Sequence, residues 1–325
     1  MKLVKKMESM FINRVKKNYL FLKKWSKREN ITAFRIYDKD IPQYPFAVDF
    51  YSGAIVLYQY ERSKNNSELS NEYEIADQLQ LEEVISDLKV FFALNDNDFF
   101  LKVRKKQKGL SQYERENEKG VTRVVNEGEM KFLVNLSDYL DCGLFLDHRK
   151  TRQIVKKLSF DKNVLNLFAY TGSVSIAAAL GNAKSVTTVD MSNTYLKWAE
   201  SNFKLNEISI SNNEFIRANI VEWLANLNMN LKKFELIFVD PPSFSNSKKM
   251  SESFDIQRDY ISLLKNCEKI LSDKGTIIFS NNLRSFKFDN DEFSKNFNIE
   301  NITKKTLPQD FRNEKIHQAW LLNKK

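Results

Sequence analysis

Residues 163–190 read NVLNLFAYTGSVSIAAALGNAKSVTTVD, and this stretch decides the fold. Its opening apolar run, residues 164–168, is rich in strand formers and predicts a buried parallel strand. After Gly172, small and apolar residues recur at helical spacing as far as Gly181, a residue type that commonly ends helices. A second apolar run ends at Asp190. Strand, turn, helix and strand make a βαβ unit, and such units bind nucleotide-like ligands at the carboxyl ends of their strands.

Asp190 is the informative residue of this unit. It lies on the order of 20 residues after the turn, where a carboxylate accepts hydrogen bonds from ribose hydroxyls. The chain has no G-x-G-x-x-G and no G-x-x-x-x-G-K-[ST], and a turn with the single glycine Gly172 offers few backbone N–H groups to phosphates. The pattern therefore favours a phosphate-free nucleoside, of which S-adenosylmethionine is the common one. A βαβ crossover with a purely structural role is the alternative.

The composition sets further bounds. The chain has 325 residues, which is long enough for two domains. Its 51 Lys and Arg against 42 Asp and Glu leave a net charge of +9, a modest bias toward polyanions such as nucleic acid. Cys142 and Cys267 do not suggest a disulfide framework, so a reducing cytoplasm is expected. With only His148 and His317 besides, no metal site is predicted. No secretory signal or membrane span is visible.

Residues 1–29 are predicted to form a basic amphipathic helix. Apolar residues recur every three or four positions, with Lys and Arg on the opposite face. That polar face could lie along RNA phosphates. The solvated face of a packing helix is an equal alternative, and a membrane-surface helix is a third.

Residues 30–136 are predicted to form a separate α+β domain that contacts RNA. Short alternating runs predict antiparallel strands, followed by a helix of about twenty residues and further strands. A basic segment in this region combines cations with amide and aromatic groups that can touch phosphates and bases. An ordinary surface loop would look the same. The candidate RNA-binding residues are Lys102, Arg104, Lys105, Lys106, Lys108, Gln112 and Tyr113.

Residues 137–160 are predicted to form a connecting strand and helix. The strand at 144–146 runs into Asp147, His148 and Arg149, polar groups that could line the mouth of the nucleotide site. Alternatively, Asp147 could simply be the N-cap of the helix. Beyond them, residues 161–325 alternate strands and helices. This alternation predicts a Rossmann-like α/β domain with an open sheet of about seven strands, mostly parallel, closed at one edge by a strand pair.

A second motif, Asp240-Pro241-Pro242, directly follows the buried strand 234–239. The two prolines fix φ and restrict the preceding residue, so that Asp240 is held rigidly at the strand end. A planar base could then be presented to a methyl donor, with Phe244 available for stacking. In isolation this motif is only a turn, but its place in the βα series favours a functional role.

These motifs together give the chain a resemblance to a known family. Nearly all of it resembles the K half of the bacterial 23S rRNA K/L methyltransferases, which methylates guanine N7 (guanosine 2069 in the family). Matching segments include Gly143–Arg149, Tyr170–Ser173, Thr187–Ser192, Asp240–Pro242, Phe279–Asn282 and Gln309–Phe311. The resemblance implies a class I S-adenosylmethionine-dependent fold and a substrate that is 23S rRNA or a large-subunit precursor. The family's L half, with its THUMP domain, has no counterpart here, so a separate L-type partner is possible.

The resemblance also implies site residues. Asp190 should hold the ribose and Met191 should pack on the adenine. Asn219 departs from the family, which usually has Asp there, and we expect somewhat weaker cofactor binding because an amide oxygen accepts without charge. The cofactor-binding candidates are Asn166, Phe168, Tyr170, Thr171, Gly172, Asp190, Met191, Asn219, Ile220, Asp240 and Arg149.

The catalytic candidates are Asp240, Pro241, Pro242, Ser243 and Phe244. Ser243 follows Asp240-Pro241-Pro242 and Asn281-Asn282 follow the next strand, where 5-methylcytosine enzymes need a Cys nucleophile, and Cys267 is predicted to lie inside a helix. This argues against 5-methylcytosine chemistry, whereas guanine N7 carries a lone pair and needs no general base. Lys248, Arg258 and Arg149 are expected to grip phosphates or the cofactor carboxylate. For Arg258, an ion pair with Asp255 or Asp259 is an equal alternative. Methylation of an exocyclic guanine nitrogen and a non-catalytic role in ribosome assembly are the competing functions.

Overall fold

The protein is described from a computed structural model that covers residues 8–61, 70–104, 119–227, 233–245 and 253–325. Within these ranges, no helix combines the length and the hydropathy that crossing a bilayer requires. The candidate residues Lys105, Lys106, Lys108, Gln112, Tyr113 and Lys248 lie outside the described residues.

The N-terminal part is a helix packed on a small mixed sheet. Ser9 caps helix α1 (Met10–Arg28), which buries one face, including Phe11 and Val15, against the sheet. The strands are β1 (Ala33–Asp38), β2 (Phe46–Tyr51), β3 (Ala54–Tyr60) and β4 (Phe99–Arg104), in that spatial order, and helix α2 (Ser70–Phe92) connects β3 to the parallel β4. The predicted basic helix is therefore present. The proposed domain boundaries stay a prediction.

A hairpin and a short turn lead to the larger sheet. Strands β5 (Thr122–Glu127) and β6 (Met130–Asn135) pair antiparallel, and helix α3 spans Arg149–Leu158. The strand predicted at 144–146 was wrong, because residues Leu146–His148 form a 3-10 turn. The N-cap position of α3 belongs to His148, not to Asp147. The Asp147 carboxylate is instead hydrogen bonded to His317, so it is not available to the helix.

The larger sheet has seven strands in the order β14-β15-β13-β10-β7-β8-β9. The five strands from β13 to β9 are parallel, and β15 and β14 close one edge antiparallel. The predicted fold class is confirmed. The elements are β7 (Asn163–Leu167), α4 (Ser173–Leu180), β8 (Ser185–Asp190), α5 (Asn193–Leu205), β9 (Asn213–Arg217), α6 (Ile220–Asn226), β10 (Phe234–Val239), β11 (Phe244–Ser245), β12 (Phe254–Asp255), α7 (Ile256–Ile270), β13 (Leu271–Asn281), α8 (Asn290–Ser294), β14 (Phe297–Asn301), α9 (Thr303–Thr306) and β15 (Gln318–Lys324).

The strand order reverses beside β7, and this reversal positions the site. From β7 the chain adds β8 and β9 on one side, and then adds β10 and β13 on the other. The central strands are fully buried, as Leu165 and Ile237 illustrate, so their apolar side chains hold both faces of the sheet. Open α/β sheets form a ligand crevice at such a switch point, outside the carboxyl ends of the strands.

Candidate active site

A cavity of about 870 Å³ opens at the carboxyl ends of β7, β8 and β10. Each strand contributes the residues that follow it. Phe168 and Tyr170 come from β7, Asp190 and Met191 from β8, and Asp240 with both prolines from β10. The two sequence motifs, 50 residues apart in the chain, therefore meet across one cavity, because parallel strands end at the same edge of the sheet.

The turn after β7 is held in an uncommon backbone conformation. Phe168, Tyr170 and Gly172 all have positive φ, of 56°, 50° and 74°, a region that side chains other than glycine rarely adopt. A Cβ at Gly172 would lie 2.6 Å from the Ala199 Cβ, so only glycine permits this approach of the turn to α5. Strain of this kind clusters at functional sites, and here it turns the Tyr170 N–H toward Asp190.

Two of the predicted cofactor residues shape this turn rather than line the cavity. The Thr171 hydroxyl donates to the Gly143 carbonyl at 2.6 Å, and the Thr171 carbonyl accepts from Asn202 at 2.9 Å. Neither Thr171 nor Gly172 is among the lining residues. The prediction that they line the cofactor directly is corrected, since their polar groups and close contacts are directed at the protein.

Asp190 is oriented by backbone donors and keeps acceptor capacity. Its two carboxylate oxygens accept from the N–H groups of Tyr170 and Ser192, each at 2.8 Å. Burial nevertheless raises the pKa of Asp190 to about 6, since desolvation outweighs the stabilising backbone hydrogen bonds. An ionised carboxylate has about four lone-pair sites, so this group still offers positions to hydroxyl donors in the cavity.

Further along the same wall lie Met191, Asn219 and Ile220. Asn219 is the N-cap of α6: its oxygen accepts from the Val221 N–H at 3.3 Å, and its amide nitrogen donates to the Glu222 carboxylate at 2.7 Å. The Glu222 bond fixes which way the amide faces. It also explains locally why an asparagine suits this position, since a carboxylate there would face another carboxylate.

The Asp-Pro-Pro segment forms the opposite wall. Asp240, Pro241 and Pro242 line the cavity, and the Asp240 side chain is 23% exposed. The Ser243 hydroxyl donates to the Asn282 amide oxygen at 2.6 Å, and Asn282 lines the cavity whereas Ser243 does not. Phe244 is 54% exposed and is also absent from the lining. Its stacking role stays a prediction.

Sequence reasoning gave no site role to His317 and suggested only that His148 could line the mouth of the site, yet both histidines lie next to this wall. His148 lines the cavity with Asp147, and its Nε2 is 3.6 Å from the Asp240 carboxylate. The His317 Nδ1–H donates to the Asp147 carboxylate at 3.1 Å. The suggestion that residues 147–149 line the mouth was right for Asp147 and His148. His317 carried no signal beyond its place in a segment matching the family, because it is 170 residues from Asp147 in the chain.

The electrostatics of this group are set by burial and by neighbours. Burial lowers the pKa of His148, although the Asp240 and Asp147 carboxylates oppose this. Burial alone would raise the pKa of Asp147, but the nearby His148 and the hydrogen bond with His317 hold it well below its usual range. Asp147 therefore stays charged at neutral pH, and His148 is held toward its neutral form.

Arg149 was wrongly predicted to grip phosphates or the cofactor carboxylate. Its side chain is fully buried and faces away from the cavity. The guanidinium pairs with Asp310, donates to the Ala33 carbonyl at 2.8 Å and lies over the Trp25 ring. A cation enclosed in this way joins the two sheets and has no path to a ligand.

The described RNA-binding candidates are also occupied. Lys102 is buried and donates to the Tyr139 carbonyl at 2.5 Å, so its predicted role as an RNA contact is wrong. Arg104 pairs with Asp141 at 2.5 Å and lies over the Tyr58 ring, which removes it from a free basic surface. Arg258 is 58% exposed and pairs with Asp259 at 2.6 Å, the alternative foreseen for it.

Comparison with known proteins agrees with a cavity suited to S-adenosylmethionine. The family model described as "S-adenosylmethionine-dependent methyltransferase" matches residues 73–301. The chain is 49% identical to the "Ribosomal RNA large subunit methyltransferase K/L" of Alteromonas mediterranea and 50% identical to that of Pseudoalteromonas atlantica, over 96% of its own length. It spans only 44% and 43% of those relatives.

Solved structures agree on the fold. SMU.776, solved in complex with SAH, is 21% identical and superposes with a TM-score of 0.70 over 98% of this chain and 83% of its own. The SAM-dependent methyltransferase of Agrobacterium tumefaciens is 17% identical, with a TM-score of 0.56 over 86% of this chain and 87% of its own. At these identities the likeness establishes the shared architecture.

Proposed function

This chain belongs to the family of S-adenosylmethionine-dependent methyltransferases, and we propose that it transfers the methyl group of S-adenosylmethionine to N7 of a guanine in 23S rRNA. The observation that carries the proposal is the placement of Asp190 and Asp240 on facing walls of one cavity. The first suits a ribose and the second suits a cationic purine. The names of the K/L relatives support ribosomal RNA as the substrate class.

The residues present fit the cofactor. Asn166 lines the cavity, and its buried side-chain oxygen has no hydrogen-bond partner among the described residues, so it awaits a donor. Asp190 would accept from the ribose hydroxyls, while Phe168, Tyr170 and Met191 would pack around the nucleoside. Ile220 and Asn219 would contact the adenine. The lining otherwise lacks the multiple glycines that a phosphate group requires.

The chemistry needs charge stabilisation and no proton transfer. When bound, S-adenosylmethionine supplies a methyl group activated by a positively charged sulfur. Guanine N7 would attack the methyl carbon with its lone pair while the bond from that carbon to sulfur breaks. The electron pair of that bond would stay on the sulfur of the departing S-adenosylhomocysteine, and the methylated ring would carry the positive charge. The Asp240 carboxylate would stabilise this charge as it develops. Pro241 and Pro242 restrict the backbone that carries this carboxylate, because their φ angles are fixed and the residue before a proline is confined to extended conformations.

The cysteines do not support a covalent mechanism. Cys142 and Cys267 are both buried and neither lines the cavity. Burial raises the pKa of the Cys267 thiol, which disfavours the thiolate that attack on a pyrimidine would need. Non-covalent transfer to a purine nitrogen is the chemistry that the remaining side chains favour.

One rival target has a specific observation in its favour. The Asp240 carboxylate could accept a hydrogen bond from the exocyclic amine of guanine, which would direct methylation to N2. From the K/L name of the relatives, we also propose that an L-type methyltransferase acts on the same RNA.

The test is mass-spectrometric mapping of 23S rRNA from cells with and without the gene, together with methylation of the unmodified rRNA by the purified protein. We expect one 7-methylguanosine to depend on the protein. A gain of N2-methylguanosine would support the rival target. RNA binding without any gain of a methyl group would support a non-catalytic assembly factor and refute the proposal.

A further inference from the structure

Both histidines of the chain converge on one carboxylate beside the active-site wall. The His317 Nδ1 lies 3.1 Å from Asp147 Oδ2, and the two imidazole rings lie 4.9 Å apart, centroid to centroid. The His148 Nε2 lies 3.8 Å from the same Asp147 oxygen and 3.6 Å from Asp240 Oδ2. His148 thus stands between two carboxylates that both line the cavity, those of the half-buried Asp147 and of Asp240.

The far end of this group is firmly held. The His317 Nε2 lies 2.9 Å from the Thr306 hydroxyl oxygen, and the Thr306 hydroxyl donates to the Thr303 carbonyl at 2.8 Å. The His317 ring is 1% exposed and has an oxygen atom at each nitrogen. It therefore cannot turn without breaking two buried contacts, and it fixes the position of the Asp147 carboxylate.

The near end faces the substrate wall. The Asp147 and Asp240 carboxylates lie 3.8 and 3.6 Å from the His148 Nε2, and without the imidazole their like charges would repel each other across the space that it fills. The Asp240 side chain would turn away from Asp147. The backbone of Asp240 is constrained by the following prolines, but its side-chain rotamer is not, so a contact from outside the Asp-Pro-Pro segment is needed to set it.

We propose that His148, held by the Asp147–His317 pair, is a positioning residue that fixes the Asp240 carboxylate against the target base. This inference rests on the proposed function, since it assigns a role in the same methyl transfer. His148 does not exchange a proton with the base. It orients Asp240, and it leaves the charge of that carboxylate available to the methylated ring as long as the imidazole is neutral.

A pH dependence follows from the surroundings of His148. The charged and titratable groups that face it are Asp147 from its own turn, Asp240 after β10, His317 before β15 and Arg152 on α3. Burial holds the imidazole neutral at the pH of the cytoplasm. Protonation at lower pH would place a cation between the two carboxylates and cancel the charge of Asp240. Because burial lowers the pKa of His148, we expect kcat to fall only at a pH below the ordinary titration range of histidine.

The test compares His148→Ala with His148→Gln, whose amide can still donate toward Asp240 but does not titrate. At saturating S-adenosylmethionine and pH 7.5, we expect His148→Ala to lose roughly 10- to 100-fold in kcat, as small misplacements of a reacting group do. The Kd for the cofactor, measured by calorimetry, should change less than threefold. His148→Gln should recover most of the rate and lack the fall of kcat at low pH. His317→Asn should show a smaller loss of the same kind.

Several outcomes would overturn the inference. A His148→Ala protein with wild-type kcat and pH profile would remove the role of His148. Should that variant fail to fold, a kcat of His148→Gln that still falls at low pH as in the wild type would do the same. Stoichiometric zinc in the purified protein, measured by mass spectrometry, would reassign Asp147, His148 and His317 as metal ligands. A wild-type protein that methylates no RNA would refute the proposed function first, and this inference with it.

Discussion

Asp147, His148 and Arg149 are consecutive, yet they serve two different regions. Asp147 and His148 face the cavity, whereas Arg149 points into a buried junction between the two sheets. We use "junction" for Arg149, Arg152, Glu127 and Asp310, which are grouped by their ion pairs, although Arg152 also lines the cavity. In the junction, both guanidinium groups find carboxylates within the protein. Around the cavity, Asp190 finds only backbone N–H groups and keeps a raised pKa.

This comparison shows what separates a structural charge from a functional one. Arg152 makes two hydrogen bonds to Glu127, at 2.9 and 2.6 Å, and both side chains are buried. That pairing leaves little capacity for a ligand. Within the part of the chain that the structure describes, the Asp190 carboxylate forms no ion pair, so ligand groups can supply the hydrogen bonds that the protein does not. Both regions contain charged residues, so residue type does not distinguish them. They differ in whether the charge is paired with an opposite charge from the protein, as at Arg152, or is left to be met by a ligand, as at Asp190.

The largest expected effect tests the junction. Arg149→Met should lower the free energy of unfolding by about 3–5 kcal/mol, because it leaves Asp310 buried without its cation. Urea denaturation measures this. Arg258→Met is the matched control, since that arginine is exposed and pairs at the surface, and it should cost about 0–1 kcal/mol. An equal loss of unfolding free energy in the two variants would mean that the buried ion pairs of the junction stabilise the protein no more than a surface ion pair does.

The next effect belongs to the cavity. Asp240→Asn should reduce kcat by about 10²–10³-fold, because the neutral amide no longer stabilises the cation that forms on the base. The free energy of unfolding should stay within about 0.5 kcal/mol of the wild type, since Asp240 is partly exposed. Initial methylation rates and urea curves on the same preparations measure both. A kcat within fivefold of wild type would contradict the assigned role.

The raised pKa of Asp190 predicts that cofactor affinity depends on pH. Its folded pKa of about 6 lies above the ordinary 3.8, so the carboxylate is ionised above pH 6 and gains a proton below it. Cofactor affinity should therefore be full above pH 6 and fall about tenfold per unit below it, as calorimetry can measure. Asp190→Asn should lose roughly 10- to 100-fold in affinity and show no such fall. Wild-type affinity that stays flat down to pH 5 would contradict the assignment.

The same raised pKa predicts the sign of a stability effect. The folded, cofactor-free protein binds this proton more tightly than the unfolded chain, so ionisation of Asp190 lowers stability as the pH rises from about 4 to 6. Removing this charge should not destabilise the protein as removing Arg149 does. Thermal unfolding of cofactor-free Asp190→Asn at pH 7 should give a Tm no lower than that of the wild type.

The smallest effect concerns Asn219. Asn219→Asp restores the residue usual in the family but places a carboxylate beside Glu222, 2.7 Å from the present amide nitrogen. We expect little change in cofactor affinity from the single substitution. Adding Glu222→Gln should remove the repulsion and improve affinity by roughly threefold, as a modest hydrogen-bond gain allows. A single substitution that binds as tightly as the double one would show that Glu222 does not matter.

The sequence also missed how charged residues are used outside the cavity. Lys102 is a cation in a basic segment, as an RNA contact would be. Its ammonium group, however, lies beside the Tyr139 carbonyl and Cys142, within the fold. Nothing local distinguishes it from an exposed lysine, since its partners are 37 and 40 residues away. The error has the same origin as the one at Arg149, whose partners Ala33 and Asp310 are 116 and 161 residues distant.

The sequence by itself determined the α/β sheet, the cofactor class and the two strand ends that face each other. Those features depend on apolar periodicity and on short motifs whose residues are neighbours in the chain, so the order of residues is sufficient to reveal them. Only the tertiary structure decided that His148 and His317 share Asp147, and that Arg149 turns away from its neighbours. The physical reason is that burial and counterions set the role of a charged group, and both are supplied by segments far apart in the chain.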